Sequence, residues 1–417
     1  MMKIPIVIIS FLFAGISCPD VHGIMVRDFL ATAIHDYTLE NQTEKIDFLH
    51  TATPNTPFFD RIELRTESDE FELSRQRYSL RFYPNGWSES ANGKKVYEAT
   101  VQCNEIQRDA LLHQALKKRY TLVIDFLHSR NTLKLNRKLM ALYEDRLNVL
   151  SQSSNSVDFD INDLIEAEDD SNRLQVKLID LENRRSTIED EIRVCIPEEV
   201  SIEFDTDSIA EIGLIKKTIR QLSATPDKDN VYFRNSRVRL ELARCRYNLE
   251  KSRSSQYIRY FEANYDNEER HDTREAFSVE LGIRLPFINS NRLDVNRRML
   301  GYLTEKGRYE GLKRALSEKL TLLSGDLKRS IEQHELLMTN KERGTAESSI
   351  GTYMHLEGID PLILLKIKES ILKRDITLEN TQYKIHTQYI EFLDAVGKLS
   401  EKPLRNYISS AQERVVP

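Results

Sequence analysis

Nine histidines and four cysteines hold whatever metal-ligating or nucleophilic chemistry this 417-residue chain carries. Their spacing fits neither use. No HExxH pair, CxxC box or GxSxG elbow occurs, and such spacings are what bring two ligands, or a nucleophile and its supporting groups, to one place. "EERHDTRE" (Glu268–Glu275) sets His271 among acids, but in a polar connecting stretch, where a solvated loop preorganises no ligand set. Cys103, Cys195 and Cys245 are scattered, which makes neither a disulfide framework nor a metal box. Cys103 and Cys245 fall on helical stretches and read as small buried thiols; a bridge from Cys195 to one of them stays open. Carboxylates stand out at two helix starts, Asp163 in "DINDLIEAE" (Asp160–Glu168) and Asp360 in "GIDPLILLK" (Gly358–Lys366). Aspartate and asparagine are ordinary helix-capping residues there. No catalytic constellation and no cofactor site emerges, so the chain does not read as an enzyme.

The elements around these residues are dominated by helix. With 60 basic against 66 acidic residues the formal net charge is −6, the opposite of the basic footprint of a nucleic-acid binder. Only 14 glycines occur, too few for Gly-rich phosphate loops. Lys3 followed by "IPIVIISFLFAGIS" and then "VHG" reads as a signal peptide over residues 1–23, cleaved near Ile24. Lipidation at Cys18 stays open. The apolar run is too short for a permanent anchor, so membrane insertion would have to be by β-strands. Leu112, Leu116, Tyr120, Val123 and Leu127 are spaced 4, 4, 3, 4, and so are Leu312, Leu316, Leu320, Leu323 and Leu327. That is the seam of a long packed helix. Helix is expected from Lys94 to Leu150, which at ~1.5 Å per residue is roughly 85 Å.

Strand-like stretches interrupt the helices at three places, one of them the alternating "SQYIRYFEANYD" (Ser255–Asp266). "AFSVELGIRLPF" (Ala276–Phe287) places Phe277, Val279, Leu281, Ile283 and Leu285 on one strand face and Ser278, Glu280, Gly282 and Arg284 on the other. In Arg61–Pro84 a clean apolar row is limited to Tyr78, Leu80 and Phe82, with Arg75, Arg77 and Arg81 opposite. Helix, strand pair, long helix, turn and long helix occur twice in the same order. "DLEN" (Asp180–Asn183) recurs as "TLEN" (Thr377–Asn380), and "SLRFYP" (Ser79–Pro84) parallels "GIRLPF" (Gly282–Phe287). We read a duplication: 24–205 with strands about 61–84 and a hairpin 94–194, then 206–399 with strands about 255–287 and a hairpin 291–399, then a tail 400–417.

Together these features resemble the TolC-like outer-membrane efflux proteins, the outer-membrane factors of tripartite efflux and type I secretion systems. The likeness runs over about 24–399 and is strongest in Phe277–Leu300 and Gly358–Leu399. It rests on the order of two matched halves plus a signal peptide. The resemblance implies a mainly α fold with a small β part. Three identical chains would form a periplasmic α-barrel joined to a short 12-stranded outer-membrane β-barrel, four strands from each. Such proteins are passive exit ducts in the outer membrane of Gram-negative bacteria, working with an inner-membrane pump and a periplasmic adaptor to export small molecules or proteins. Carried over residue by residue, the resemblance sets Asp360 and Asp163 at the periplasmic pore constriction. It puts the adaptor-contacting tips near Ser154, Asn155, Gly351 and Gly358 and the lipid-facing row at Phe277, Val279, Leu281, Ile283 and Leu285.

The chain also departs from the family pattern. A second family aspartate, one helical turn beyond the first, falls on Ile363, and neither tip has the usual basic partner. The first strand pair has only about 24 residues between Arg61 and Pro84, a length adequate but tight for two tilted spanning strands, so the barrel would be short; a degenerate barrel that does not fully span the membrane stays open. A non-channel periplasmic coiled-coil protein with a degenerate form of this fold is the alternative. It accounts for the helices but not for strand pairs at the same point of both halves.

Overall fold

A computed structural model describes residues 23–52, 58–68, 76–153, 159–196, 200–204, 209–222, 229–266, 277–284, 292–343, 360–410 and 413–415. The leader, Cys18, His271, Leu285, Ser154, Asn155, Gly351 and Gly358 lie outside them. Helices α1 (Val26–Ala31) and α2 (Tyr37–Thr51) precede strands β1 (Phe59–Ser68) and β2 (Gln76–Pro84). Helices α3 (Trp87–Gln152), α4 (Ile161–Arg193), α5 (Ile212–Gln221) and α6 (Val231–Ser254) follow. Then come β3 (Ile258–Asp266), β4 (Phe277–Ile283), α7 (Arg292–Arg343) and α8 (Pro361–Val396). Among the described residues no helix is long and apolar enough to cross a membrane.

Several boundaries differ from the sequence expectation for identifiable reasons. The residues Arg27–Leu49 read as one helix by sequence, but the chain breaks at Asp36, which caps α2 by accepting from the Thr38 amide at 3.1 Å. Arg119 reinforces the break, donating to Asp36 at 3.2 Å and to the Thr32 hydroxyl at 2.8 Å. Helix α3 begins at Trp87 rather than Lys94 and runs for 66 residues, about 100 Å at ~1.5 Å per residue. Ser88, Ser90, Asn92 and Gly93 are weak helix formers, but tertiary contacts override propensity. Glu89 pairs with Arg253 of α6 at 2.7 Å, and Asn92 reaches the Ser252 hydroxyl at 3.3 Å.

The helices make one layer. Helix α3 packs against α2, α4, α6 and α8, and α7 packs against α6 and α8. Near the sheet the order is α2–α3–α6–α7; away from it, α4–α3–α8–α7. Helix α7 is therefore one margin of the layer, and α2 and α4 are the other. The main core lies at mid-height, where Leu116, Tyr120, Phe126, Ile215, Leu320, Ile385 and Phe392 are buried. Phe204, from the stretch between α4 and α5, fills the gap between Phe29 and Phe126, each 5.3 Å away by ring centroid. Burying each such side chain contributes roughly 1.5–3 kcal/mol. Cys103, Cys195 and Cys245 are free thiols, and Cys103 and Cys245 share a small apolar cluster between α3 and α6.

Candidate membrane-spanning sheet and helical junction

The four strands form one antiparallel sheet in the order β1-β2-β3-β4. Their register sorts the side chains into two unlike faces. On the first face, Thr66, Tyr78, Tyr265 and Phe277 lie in one cross-strand row. Leu64, Leu80, Ala263 and Val279 make the next row, and Ile62, Phe82, Phe261 and Leu281 the third. Nothing among the described residues covers this face: Leu64 is 72% exposed and Val279 is 82% exposed. Aromatic rings cluster at both ends of it, Tyr265 against Phe277 and Phe59 against Phe82.

The second face is charged and internally paired. Arg81 forms an ion pair with Glu262 across β2 and β3. Arg77 reaches Asp266 at 3.2 Å, and Glu63 accepts from Arg65 at 2.7 Å and pairs with Arg61 at 2.9 Å. Guanidinium groups also lie over rings, Arg61 on Tyr83 at 4.1 Å and Arg81 on Tyr260 at 4.2 Å, an arrangement favourable to the cation. Gly282 leaves room for the Tyr260 ring. A Cβ at that position would come within 2.3 Å of the Tyr260 ring, which lies across it and donates its hydroxyl to Glu280.

The described strands run 10, 9, 9 and 7 residues, and about 9–11 residues of tilted strand cross a bilayer. Sequence reasoning finds the apolar rows of β2 and β4 but misses Ile62 and Leu64 of β1. Their alternation, Ile62–Leu64–Thr66, is masked by Arg61, Glu63 and Arg65 between.

A second polar centre, which no motif announces, sits inside the helical layer. Asp394 of α8 is surrounded by donors from three other helices. His113 Nε2 lies 3.1 Å from its Oδ1, Lys117 donates to Oδ2 at 2.9 Å, and the Tyr232 hydroxyl donates to Oδ1. Lys319 of α7 approaches Oδ2 at 3.5 Å and pairs with Glu391 at 3.2 Å. Burial by itself would raise the Asp394 carboxyl, but the bonds from His113, Tyr232 and Lys117 outweigh it and hold the group well below the usual carboxylate range. Burial, with the bond to Asp394, pushes the Tyr232 phenol far up. Gly397, at φ 85°, ends α8 in the left-handed conformation that a Cβ disfavours. The turn brings Ser400 back to His113 Nδ1 at 3.0 Å. Ser400, His113 and Asp394 have the residue types of a nucleophile relay. His113 is fully buried, however, and Asp394 is neutralised by lysines, so the trio ties helices together.

The two carboxylates singled out in the sequence lie at the far end of the layer. Asp360 caps α8, its Oδ1 accepting from the Leu362 amide at 2.9 Å. Asp160, not Asp163, caps α4, accepting from the Asn162 amide at 2.9 Å. Asp163 sits half-buried in the first turn, where its charge complements the helix dipole. Both helices return along α3 from the same end.

Solved structures share this architecture. VceC, an outer membrane protein of the pathogen Vibrio cholerae, superposes with a TM-score of 0.62 at 12% identity, covering 89% of this chain and 96% of its own. The outer-membrane channel OprN superposes with a TM-score of 0.65 at 11% identity, over 89% of this chain and 90% of its own. The Neisseria gonorrhoeae MtrE outer membrane channel, in its open state, gives 0.55 at 12% identity, over 89% and 88%. The chain has the fold of the TolC-like outer-membrane channels. No protein-family model and no curated protein sequence matches it.

Proposed function

We propose that the chain is the subunit of a homotrimeric, passive exit duct. It would be exported by its leader, residues 1–23, and inserted in the outer membrane of a Gram-negative bacterium. The observation that carries this reading is the two-faced sheet. Its bare apolar face is at home in hydrocarbon, and its ion-paired face in a wet lumen. In lipid the outer edges of β1 and β4 must find partners, because unpaired backbone groups there cost several kcal/mol each. Three copies of the four-stranded sheet close that ring with twelve strands. Phe277, Val279, Leu281 and Ile283, with Leu285 beyond the described residues, would form part of the lipid-facing surface, whose described rows extend through Leu80 to Ile62 and Leu64.

The helical layer then continues the duct into the periplasm. A periplasmic adaptor, linked to an inner-membrane transporter, docks on the tips around Ser154, Asn155, Gly351 and Gly358, and the cargo is small molecules or proteins. Asp360 and Asp163 narrow the periplasmic end, where a threefold ring of carboxylates concentrates negative potential. The matched halves 24–205 and 206–399 give the ring its pseudo-sixfold character.

Planar-bilayer conductance of the full chain tests the reading. A cation-preferring conductance is expected. Asp360→Asn keeps an oxygen to cap α8 and should raise conductance or weaken cation preference with no change in Tm. Unchanged currents would return Asp360 to a capping role alone. A chain that stays monomeric in the periplasmic fraction and carries no current would overturn the duct.

A further inference from the structure

The margins of the helical layer carry more detail than the ring closure requires. Helix α2 turns Tyr37, Asn41, Glu44 and Phe48 away from the chain at intervals of 4, 3 and 4, the spacing of a helix–helix seam. Tyr37 is 77% exposed and Phe48 is 69% exposed, although Leu39, Gln42 and Ile46 on the opposite side are buried against α3. The other margin, α7, exposes Leu300, Thr304, Gly307 and Gly311 at the same intervals. A Cβ added to Gly307 or Gly311 would meet nothing within 4 Å. One stripe is bulky and the other is bare.

Three further observations match the two stripes to each other. The first is height. Gln42 of α2 donates to the Asn104 side chain of α3 at 2.9 Å, and Tyr97 of α3 donates to the Ala52 carbonyl at 2.6 Å. On the far side of α3, Gln102 and Ile106 line one cavity with Tyr309 and Lys313 of α7. Tyr37–Phe48 therefore stands at the level of Leu300–Gly311. The second is direction: α2 runs toward the sheet and α7 away from it. An antiparallel pairing sets Tyr37 opposite Gly311 and Phe48 opposite Leu300. The third is charge. Helix α2 carries Glu40, Glu44 and Asp47 against Lys45 alone, whereas Arg292–Ala315 of α7 holds seven basic and three acidic residues. The glycines alone would say only that a face is bare; the aromatic stripe at equal height and of opposite charge says what covers it.

We infer that α2 of one copy seats its Tyr37–Phe48 stripe in the glycine face of α7 of the next copy, forming the upper helical seam of the ring. The seam is heterologous, with a different surface on each side, so repetition around the axis closes it. It rests on the trimeric reading above and adds which faces meet and in what register.

Native mass spectrometry of the full-length chain in detergent, with circular dichroism alongside, separates the two ideas. The unmodified chain is expected as a trimer. Gly311→Phe fills open space in a single copy, so helix content should hold while the trimer is lost, and Tm should fall only by the stability that assembly adds. Tyr37→Ala combined with Gly311→Phe moves the bulk across the seam and should restore the trimer. If Gly311→Phe and Gly307→Phe both remain trimeric, the seam is wrong while the ring stands. A wild-type chain that is monomeric, or that assembles only with a different protein, overturns both.

Discussion

The sheet and the Asp394 junction treat charge in opposite ways. In the sheet the apolar side chains are bare and the charges of the opposite face largely satisfy one another across the strands, as Arg77 and Arg81 do with Asp266 and Glu262. In the junction the apolar side chains are buried and one carboxylate is enclosed with His113, Tyr232, Lys117 and Lys319. A junction of that kind is complete within one chain. The sheet is not: its apolar face is bare, and on the proposed function hydrocarbon covers that face while neighbouring copies pair its edges. On the proposed function, the same polypeptide holds a self-sufficient part and a part that an assembly in a membrane completes.

The largest expected effect breaks the self-sufficient half. Asp394→Ala removes the acceptor shared by buried His113 and the Tyr232 hydroxyl and leaves Lys117 and Lys319 to Glu391 alone, and removing one partner of a buried charge pair costs about 3–5 kcal/mol. Thermal melts of the helical signal should show it, and Asp394→Asn should recover part of the loss. Smaller, and confined to the sheet, is Val279→Arg. A cation on the lipid face near the bilayer midplane costs about 2–4 kcal/mol. Membrane insertion should fall, read by flotation with vesicles, while the circular dichroism of the helices stays as it was. Equal loss of helix and of insertion would erase the distinction between the two regions.

Gly282→Ala probes the inner face of the sheet. Its methyl group collides with the Tyr260 ring, and overpacking of that kind costs about 1–3 kcal/mol. Conductance noise and strand signal should change before the helical Tm does. The smallest effect is a pH slope. Burial pushes the His334 imidazole of α7 below its ordinary value. The unfolded chain therefore takes up the proton first, so the contribution to stability is intact above about pH 6.5 and declines as pH falls toward the lower folded value. His334→Gln should flatten that part of the Tm–pH curve and leave insertion unchanged.

Much of this is legible in the residues. The 4, 4, 3, 4 leucine spacing places α3 and α7, and the alternation at Phe277–Ile283 places β4, because each signal is local and periodic. Asp360 reads both as a cap and as a pore residue, and the cap is what the backbone of α8 displays. The break at Asp36 escapes a sequence reading because Arg119, 83 positions later, helps to hold it. The junction is invisible for the same reason. Asp394 and His113 are 281 residues apart, and neither belongs to a motif.

Local patterns thus suffice to say which segments are helix and strand, which strand positions are apolar, and where the helices turn, since these depend on neighbours within a few residues. They do not say that the four strands align their apolar positions into one continuous face, that polar side chains from three other helices meet on Asp394, or that α2 and α7 become the two bare margins of the layer. Those outcomes belong to the folded chain, because each depends on register and height between distant segments. Packing fixes them and periodicity cannot, because shifting one segment against another leaves every local pattern unchanged.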